Sequence, residues 1–429
     1  MVRSTTKAYK AMSPQEAVGL IRSKDRILVE GSVGEPVSLV RALIEERGRL
    51  TGVEVVTASP LEAQRLAEEA MAPHFRVKTF FARGGIGSAI KAGRADYLPL
   101  SLWGLVRALE DGTLRLDAVL IQVSPPDPSG YCSLGISVGY VKPAVRSASL
   151  VIAEVNDQMP RTFGDSLIHV SEIDCIVESS RPLPELEPVK IGPKEERIGE
   201  AIAELICDGA TIEVGIGSIP SALTSFLKDK KELGVHSGMI SDGVKELMEL
   251  GVITNSRKPI DREKCVAAMA LGSKGLYRWL DENRTVEMRS ASYTHSPSTL
   301  SRINGLVAVN SALQVDLSGQ GNGEAISGLV ISGMGGGVDF ARGACAAPMG
   351  ISIIALPSTT EDGRASRIVP FLDGGSPVTF QRSDVHFVVT EYGVADLRCK
   401  SVEERARALM EVAHPNFREE LERRLTEIA

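Results

Sequence analysis

The chain has 429 residues, of which 43% are hydrophobic, 24% charged and 4% aromatic, and its formal net charge at pH 7 is -7. This length exceeds what one hydrophobic core usually organises, so we expect two or three domains. The composition excludes a disordered or fibrous chain, and the acidic balance with few aromatic residues argues against a nucleic-acid-binding protein.

The sequence predicts no membrane span, no secretion signal and no metal site. The longest apolar runs, such as residues 351–356, are strand-length and far shorter than the ~20 residues of a membrane span. Residues 1–12 carry basic side chains without a following apolar stretch, so we expect no signal peptide and a cytoplasmic protein. The cysteines are isolated and lack histidines at ligand spacing, which predicts buried thiols rather than disulfides or a bound metal. They are Cys132, Cys175, Cys207, Cys265, Cys345 and Cys399.

Short apolar runs alternate with helix-like stretches along the whole chain. Candidate strands lie at residues 27–29, 53–56, 118–123 and 150–153. Because glycine, proline or aspartate bounds such runs and helical patterns follow several of them, we expect an α/β fold with mostly parallel sheets.

Two strand-to-helix turns resemble each other, one in each half of the chain. Residues 28–36 and 212–220 both place a glycine after a strand and a proline five residues later, at Gly31 and Pro36 and at Gly215 and Pro220. Amphipathic helices are predicted to follow at residues 37–46 and 221–228. Such a turn directs free backbone amides and the positive end of a helix dipole at a bound anion, although a tight turn without a ligand has the same pattern.

A proline-rich polar stretch at residues 178–193 marks the predicted domain boundary. We therefore expect an N-terminal α/β domain at 1–185 and a related C-terminal one at 194–429. The C-terminal domain contains a turn with glycines at 333, 335, 336 and 337, whose backbone can approach a ligand closely. Its spacing does not fit a dinucleotide-binding motif, and the alternative is a flexible crossover.

The chain resembles the acetyl-CoA hydrolase/transferase family, which includes 4-hydroxybutyrate and acetate CoA-transferases, from about residue 20 to the C-terminal helices. The similarity is spread over many ordered segments rather than one motif. In the N-terminal half they are residues 122–135, 152–156, 159–162 and 164–166. In the C-terminal half they are residues 215–220, 234–243, 310–317, 333–340, 355–360, 366–370 and 389–397.

The resemblance implies a class I CoA-transferase-like fold of two α/β domains, CoA bound near their interface, a cytoplasmic homodimer, and acyl-CoA with a small carboxylate as substrates. It also implies a double displacement in which a glutamate attacks the thioester and carries first the acyl group and then CoA. By this resemblance Gly215, Gly217, Gly238, Gly333, Met334 and Gly335 are candidates for binding substrate or CoA.

Three residues depart from the family pattern. The segment Gly-Val-His-Ser-Gly-Met-Ile-Ser-Asp-Gly at 234–243 has Gly238 where the family places its nucleophilic glutamate. His295 stands where an asparagine, together with the amide of a glycine matching Gly336, stabilises the thioester oxyanion. Glu213 stands where an uncharged residue is usual. The resemblance therefore makes His295, Glu213 and Gly336 the candidate catalytic residues.

The sequence leaves two interpretations of Glu213 open. It is a relocated carboxylate that attacks the thioester or orients a water with His295, or it is a half-exposed strand residue facing solvent or a lysine such as Lys228 or Lys230. Glu30 and Glu35, on the strand-to-helix turn at residues 28–36, are weaker candidates for a catalytic carboxylate. His236 is expected to be structural or to line the pocket.

The sequence predicts a CoA-transferase with a non-standard active site. The alternatives are an acyl-CoA hydrolase, in which His295 or Glu213 activates water, and a non-catalytic acyl-CoA-binding protein.

Overall fold

The computed structural model describes residues 10–187 and 189–427. Residues 1–9, which include most of the basic N-terminal segment expected not to be a signal peptide, lie outside this range. The chain divides into two compact units. The first comprises residues 1–186, 268–293 and 329–335, and the second comprises residues 187–267, 294–328 and 336–429.

The strands follow one another along the described part of the chain. They are β1 Lys10–Ala11, β2 Arg26–Val29, β3 Val53–Ala58, β4 Phe75–Phe81, β5 Ala95–Tyr97, β6 Leu116–Val123, β7 Tyr131–Ser133, β8 Ala148–Asn156, β9 Phe163–Gly164, β10 Leu167–His169, β11 Cys175–Ser179, β12 Thr211–Val214, β13 Gly234–Ile240, β14 Cys265–Ala270, β15 Val286–Met288, β16 Leu306–Ser311, β17 Gln314–Asp316, β18 Gly321–Asn322, β19 Ala325–Ile326, β20 Leu329–Val330, β21 Ile351–Ala355, β22 Ile368–Val369, β23 Phe387–Thr390 and β24 Gly393–Asp396.

The α-helices are numbered in the same direction. They are α1 Pro14–Val18, α2 Val37–Glu45, α3 Ile86–Lys91, α4 Leu102–Glu110, α5 Val141–Ser147, α6 Pro193–Leu205, α7 Ser218–Phe226, α8 Asp242–Glu249, α9 Lys274–Leu280, α10 Ala291–Thr294, α11 Pro297–Leu300, α12 Gly337–Ala346, α13 Val402–Val412 and α14 Pro415–Arg424. None of the described helices is long and apolar enough to cross a membrane.

The first unit is built on an eight-stranded sheet in the order β1-β11-β8-β6-β2-β3-β4-β5. Every neighbouring pair in it is parallel. Its central strands are apolar on both faces, as expected when helices cover a parallel sheet on both sides. Ile27, Val29, Val55, Val77 and Leu120 are fully buried in the core that α2 closes on one face.

The second unit has the strand order β24-β23-β21-β16-β12-β13. Its pairs are parallel except for β23 with β24, which form an antiparallel edge. The helix α12 packs against β16 and β21 through Phe340 and Ala344, which share a core with Leu306 and Ala308. The parallel strands present their carboxyl ends at one edge of the sheet, where ligands bind in open α/β folds.

The predicted α/β class with mostly parallel sheets is confirmed, and each candidate strand lies within a strand of the structure. The predicted helices begin at Val37 and, three residues earlier than expected, at Ser218. The domain limits of 1–185 and 194–429 stay a prediction, because the compact units also assign residues 268–293 and 329–335 to the first unit.

The turn at Gly31 depends on the absence of a side chain. A Cβ atom there would lie 1.8 Å from the carbonyl oxygen of Ala58, which is backbone and has little freedom to move. We therefore expect Gly31→Ala to lower the free energy of unfolding by about 2 kcal/mol through overpacking. Thermal and urea unfolding measure this loss. The control is Gly48→Ala, an exposed position with no atom within 4 Å of the added methyl group, and an equal loss in both variants would contradict the assignment.

Candidate active site

The candidate catalytic residues of the second unit meet at the start of α12. Gly336 is the N-cap residue of this helix, and Gly337 is its first residue. Glu213 lies in β12, Gly238 in β13 and Asn310 in β16, three strands that run parallel in one sheet. Residues distant in sequence are thus brought to one place by the shared direction of the strands.

The imidazole of His295 lies against backbone at two glycines. A Cβ atom at Gly336 would be 2.2 Å from His295 Nε2, and one at Gly238 would be 3.1 Å from the same nitrogen. Phe340 holds the ring from a third side in an edge-on contact, with ring centroids 4.8 Å apart. The ring therefore occupies space that side chains at 238 and 336 would otherwise need.

Burial makes His295 a neutral side chain. Only 1% of the residue is exposed, and this desolvation, assisted by nearby His236, lowers its pKa to about 3. At neutral pH the ring can donate or accept a hydrogen bond but carries no positive charge. Its Nδ1 is 2.7 Å from the hydroxyl oxygen of Thr294, so Nε2 is the nitrogen that faces the two glycines.

Glu213 is a buried carboxyl group bound to an amide. It is 6% exposed, and Asn310 Nδ2 donates a hydrogen bond to its Oε2 over 3.0 Å. Desolvation raises its pKa to about 8, although hydrogen bonds from Asn310 and the Val309 backbone favour the ionised form. The interpretation of Glu213 as a half-exposed residue facing solvent is therefore wrong, because burial rather than solvent governs this carboxyl group.

The alternative of a lysine partner for Glu213 also lacks support. The ammonium group of Lys228 pairs with Glu246, 2.6 Å from Oε1, and the contacts that govern the pKa of Glu213 include no lysine.

Asn310 connects Glu213 to the helix start. Its Oδ1 lies 2.6 Å from the position that a Cβ atom would take at Gly337, so the amide side chain spans from the carboxyl group to the first residue of α12. His295 reaches Gly336, the preceding residue. Asn310 thus links the carboxyl group to Gly337, and the imidazole reaches Gly336. These consecutive residues lie at the helix start, where backbone amides have no partner within the helix and the dipole is positive.

The second strand-to-helix turn opens onto a cleft. Gly217 caps α7 with φ +124°, a conformation that favours glycine, and Gly215 lies two residues before it on the turn. Together with the N-terminus of α7, Lys194 and Arg367 line a cleft of about 480 Å³. Lys194 Nζ donates to Thr359 Oγ1 over 3.1 Å. The cleft is also lined by Glu195 and Glu361, so its side-chain charges balance, and the free amides at the start of α7 are the groups that favour an anion there.

The corresponding turn of the first unit is closed by the protein's own carboxylate. Glu154 accepts hydrogen bonds from the backbone N–H and the hydroxyl of Ser38, in the first turn of α2. Arg181 lies 3.3 Å from the same carboxylate. Glu35 accepts three backbone N–H groups, those of residues 61, 62 and 63. The two similar turns therefore differ: in the first unit the carboxylate of Glu154 binds the start of α2, while Glu35, on the turn itself, binds amides of a neighbouring loop.

Part of the glycine-rich turn has a packing explanation. Gly333, Met334 and Gly335 belong to the first unit, and the unit boundary falls before Gly336. A Cβ atom at Gly333 would lie 2.4 Å from the carbonyl oxygen of Phe80, and Gly335 has φ +52°. A flexible crossover does not explain these two glycines, because Gly333 permits a close backbone contact and Gly335 permits a positive φ angle.

Sequence reasoning gave no role to three residues of the site. Asn310 lies in a segment that carried the family resemblance, and its position at the end of a parallel strand could have identified it. Nothing local in the sequence indicated Thr294 or Phe340, which both contact the ring of His295. Within 10–187 and 189–427, no cluster of three or more histidine, cysteine, aspartate or glutamate side chains is arranged to hold a metal ion.

Comparison with known proteins gives matches over both halves of the chain. Residues 1–187 match the acetyl-CoA hydrolase/transferase N-terminal domain, and residues 272–425 match the C-terminal domain. The chain is 48% identical over 412 residues to 4-hydroxybutyrate coenzyme A transferase of Clostridium kluyveri, with 96% of each protein covered. It is 40% identical over 421 residues to succinyl-CoA:cyclohexane-1-carboxylate CoA transferase of Geobacter metallireducens, covering 98% of this chain and 96% of the relative. The crystal structure of RipA from Yersinia pestis aligns with a TM-score of 0.91 and 34% identity, over 97% of both chains.

The raised pKa of Glu213 predicts a pH dependence of stability. The pKa of an unfolded glutamate is 4.5 and that of the folded group is about 8, so the unfolded chain ionises first as the pH rises. Between these values the folded state loses stability, by roughly 4–5 kcal/mol at most, and no further loss follows above pH 8. We expect Glu213→Gln to abolish this loss, so that its Tm exceeds that of the wild type at pH 9 but not at pH 4.

The control for this experiment is Glu200→Gln, an exposed position on α6. Differential scanning calorimetry from pH 4 to pH 9 compares the three proteins. If the wild type and Glu213→Gln lose stability in parallel over this range, Glu213 is not a carboxyl group protonated by burial.

Proposed function

Because the chain belongs to the acetyl-CoA hydrolase/transferase family, we propose that it carries out its reaction at the start of α12, with His295, Glu213 and Gly336 as the catalytic residues. The protein is a CoA-transferase that moves CoA between an acyl-CoA and a small carboxylic acid. The observation that carries the proposed site is the contact of the His295 ring with Gly336 at the free end of α12.

His295 and Gly336 stabilise the negative charge that develops on the thioester oxygen. Support comes from the position of Nε2 beside Gly336, at a helix start, where the first backbone N–H groups have no partner within the helix. Donors fixed in place within a buried environment stabilise a developing oxyanion more strongly than water does. A neutral imidazole can replace an asparagine amide in this role, since stabilising the oxygen needs only one N–H donor.

Glu213 takes the part of the attacking carboxylate. Glycine at 238 has no side chain to attack a thioester, and Glu213 is the carboxyl group that reaches the helix start through Asn310. Its oxygen attacks the thioester carbon and CoA leaves as the thiolate, giving an acyl-glutamyl anhydride. The thiolate then attacks the glutamyl carbonyl and releases the first acid, and the second carboxylate repeats these steps in reverse.

Acyl-CoA binds with an anionic part in the cleft at the N-terminus of α7. Support comes from the helix start at Gly217 and from Lys194 and Arg367, which can pair with a phosphate group in a cleft that Glu195 and Glu361 also line. Contacts of substrate or CoA with Gly215, Gly238, Gly333, Met334 and Gly335 stay predictions, as do the homodimer and the cytoplasmic location. The named relatives act on 4-hydroxybutyrate and cyclohexane-1-carboxylate, which supports a monocarboxylic acid as one substrate of this chain.

Hydrolysis of acyl-CoA is a second candidate function, and the state of Glu213 favours it. At pH 7 a group with a pKa of about 8 is mostly protonated, and a protonated carboxyl group is a poor nucleophile. Water is then the competing attacker, with His295 as a hydrogen-bond acceptor for it, although a pKa of about 3 makes the ring a weak base. A binding protein without chemistry is the third possibility.

CoA transfer and hydrolysis are distinguished by incubating the protein and acyl-CoA with and without labelled acetate. We expect labelled acetyl-CoA to form and little free thiol to appear without an acceptor. Intact-protein mass spectrometry and peptide mapping should locate a CoA adduct on Glu213. Exchange should rise with pH up to about 8, because only the ionised carboxyl group attacks. Glu213→Gln should lower exchange by at least about 100-fold.

The control for the exchange assay is again Glu200→Gln, which should exchange like the wild type. Thiol release that needs no acceptor and persists in Glu213→Gln would assign hydrolysis instead. CoA binding with neither exchange nor thiol release would assign a binding protein.

The contact between His295 and Gly238 predicts that substitutions at the two positions are coupled. In Gly238→Glu the new Cβ crowds Nε2 at 3.1 Å, so we expect weak activity. Adding His295→Asn removes the ring and restores the family residues at 238 and 295. The double variant should exchange at least about tenfold faster than either single variant, an interaction of about 1.4 kcal/mol or more. Its pH profile should also shift downward, towards the pKa of an ordinary glutamate. Additive effects of the two substitutions would contradict a shared space.

A further inference from the structure

Thr294 contacts both buried histidines of the second unit. Its side-chain oxygen is 2.7 Å from His295 Nδ1, and its carbonyl oxygen is 3.1 Å from His236 Nε2. All three residues are buried, and both imidazoles make edge-on contacts with Phe340. Because a carbonyl oxygen can only accept, His236 Nε2 donates in this pair and holds the backbone of Thr294 in place.

A neutral imidazole carries one proton, and its location decides what His295 can do. A proton on Nε2 makes the edge beside Gly238 and Gly336 a hydrogen-bond donor. A proton on Nδ1 leaves Nε2 as a base at the same position. Because a threonine hydroxyl can donate or accept, the direction of its bond with Nδ1 decides whether Nε2 stabilises an oxyanion or activates water.

We propose that Thr294 is a positioning residue. Its hydroxyl group donates a hydrogen bond to His295 Nδ1 and so keeps the ring proton on Nε2. The inference rests on the proposed function, in which Nε2–H stabilises the thioester oxygen. Threonine suits this task because its branched Cβ restricts rotation about χ1, and the bond from His236 fixes the backbone to which that Cβ is attached. Thr294 touches no reacting atom in this arrangement and acts only through His295.

The arrangement also accounts for transfer in preference to hydrolysis. With the proton on Nε2, the nitrogen nearest Gly238 has no lone pair for a water molecule. Loss of the hydroxyl group would release the ring to populate both tautomers, and the Nδ1–H form would supply a base. Removal of Thr294 Oγ1 should therefore change the ratio of hydrolysis to transfer as well as the rate.

Nuclear magnetic resonance of protein with 15N-labelled histidine tests the tautomer directly, since protonated and bare ring nitrogens have well separated chemical shifts. The chain has six histidines, and the signals missing in His295→Asn identify those of His295. We expect a bare Nδ1 and a protonated Nε2 in the wild type and in Thr294→Ser, which keeps the hydroxyl group. In Thr294→Val, which keeps the shape without it, we expect a mixture of tautomers. A wild-type ring protonated on Nδ1 overturns the proposal, and so does an unchanged tautomer in Thr294→Val.

Kinetics provide the second readout. We expect Thr294→Val to lower kcat for CoA transfer roughly 10- to 100-fold with little change in KM, as for loss of orientation at a reacting group. Its thiol release relative to transfer should rise, and Thr294→Ser should restore most of the wild-type kcat. A loss that Thr294→Ser does not restore points to packing and counts against the proposal. If the protein catalyses no CoA exchange at all, the proposed function fails, and the ring-nitrogen spectrum still decides the tautomer.

Discussion

An imidazole packed against bare backbone is the contact on which the arrangement of the second unit's site depends. Nε2 of His295 lies so close to Gly336 and Gly238 that neither position accepts a side chain without movement of the ring. Phe340 and Thr294 fix the ring from other directions. The three departures from the family pattern, at 213, 238 and 295, are thus related in space. The ring of His295 fills the space beside Gly238, and Asn310 links the carboxyl group of Glu213 to Gly337, the residue after Gly336.

Burial sets the protonation states in this site. The same loss of water that lowers the pKa of His295 to about 3 raises that of Glu213 to about 8. At neutral pH both groups are therefore mostly uncharged, and the positive end of α12 is the fixed electrostatic feature around them. A site of this kind stabilises negative charge that appears during a reaction, whereas permanent charge on its own side chains is disfavoured.

The two strand-to-helix turns illustrate how similar local sequences acquire different roles. Each places a glycine and a helix N-terminus at the end of a parallel strand. In the first unit Glu154 binds the amide and hydroxyl of Ser38, so the helix start is satisfied within the protein. In the second unit the turn at Gly217 borders a cleft with Lys194 and Arg367. Of these two turns, the one in the second unit is therefore the one that borders a cleft.

The sequence by itself determined the class of fold, the strands and helices around the two turns, and the family, because these depend on periodicity and on short ordered segments. It also named His295 and Glu213, since a departure from a family pattern is visible residue by residue, and Gly336, because it matches a glycine of that pattern. Only the tertiary structure decided which turn is open, which residues hold His295, and which groups are charged. Glu213 meets Asn310 across 97 positions and Ser38 meets Glu154 across 116. Burial and hydrogen bonding between such distant residues fix a pKa or fill an anion site, and no local pattern records them.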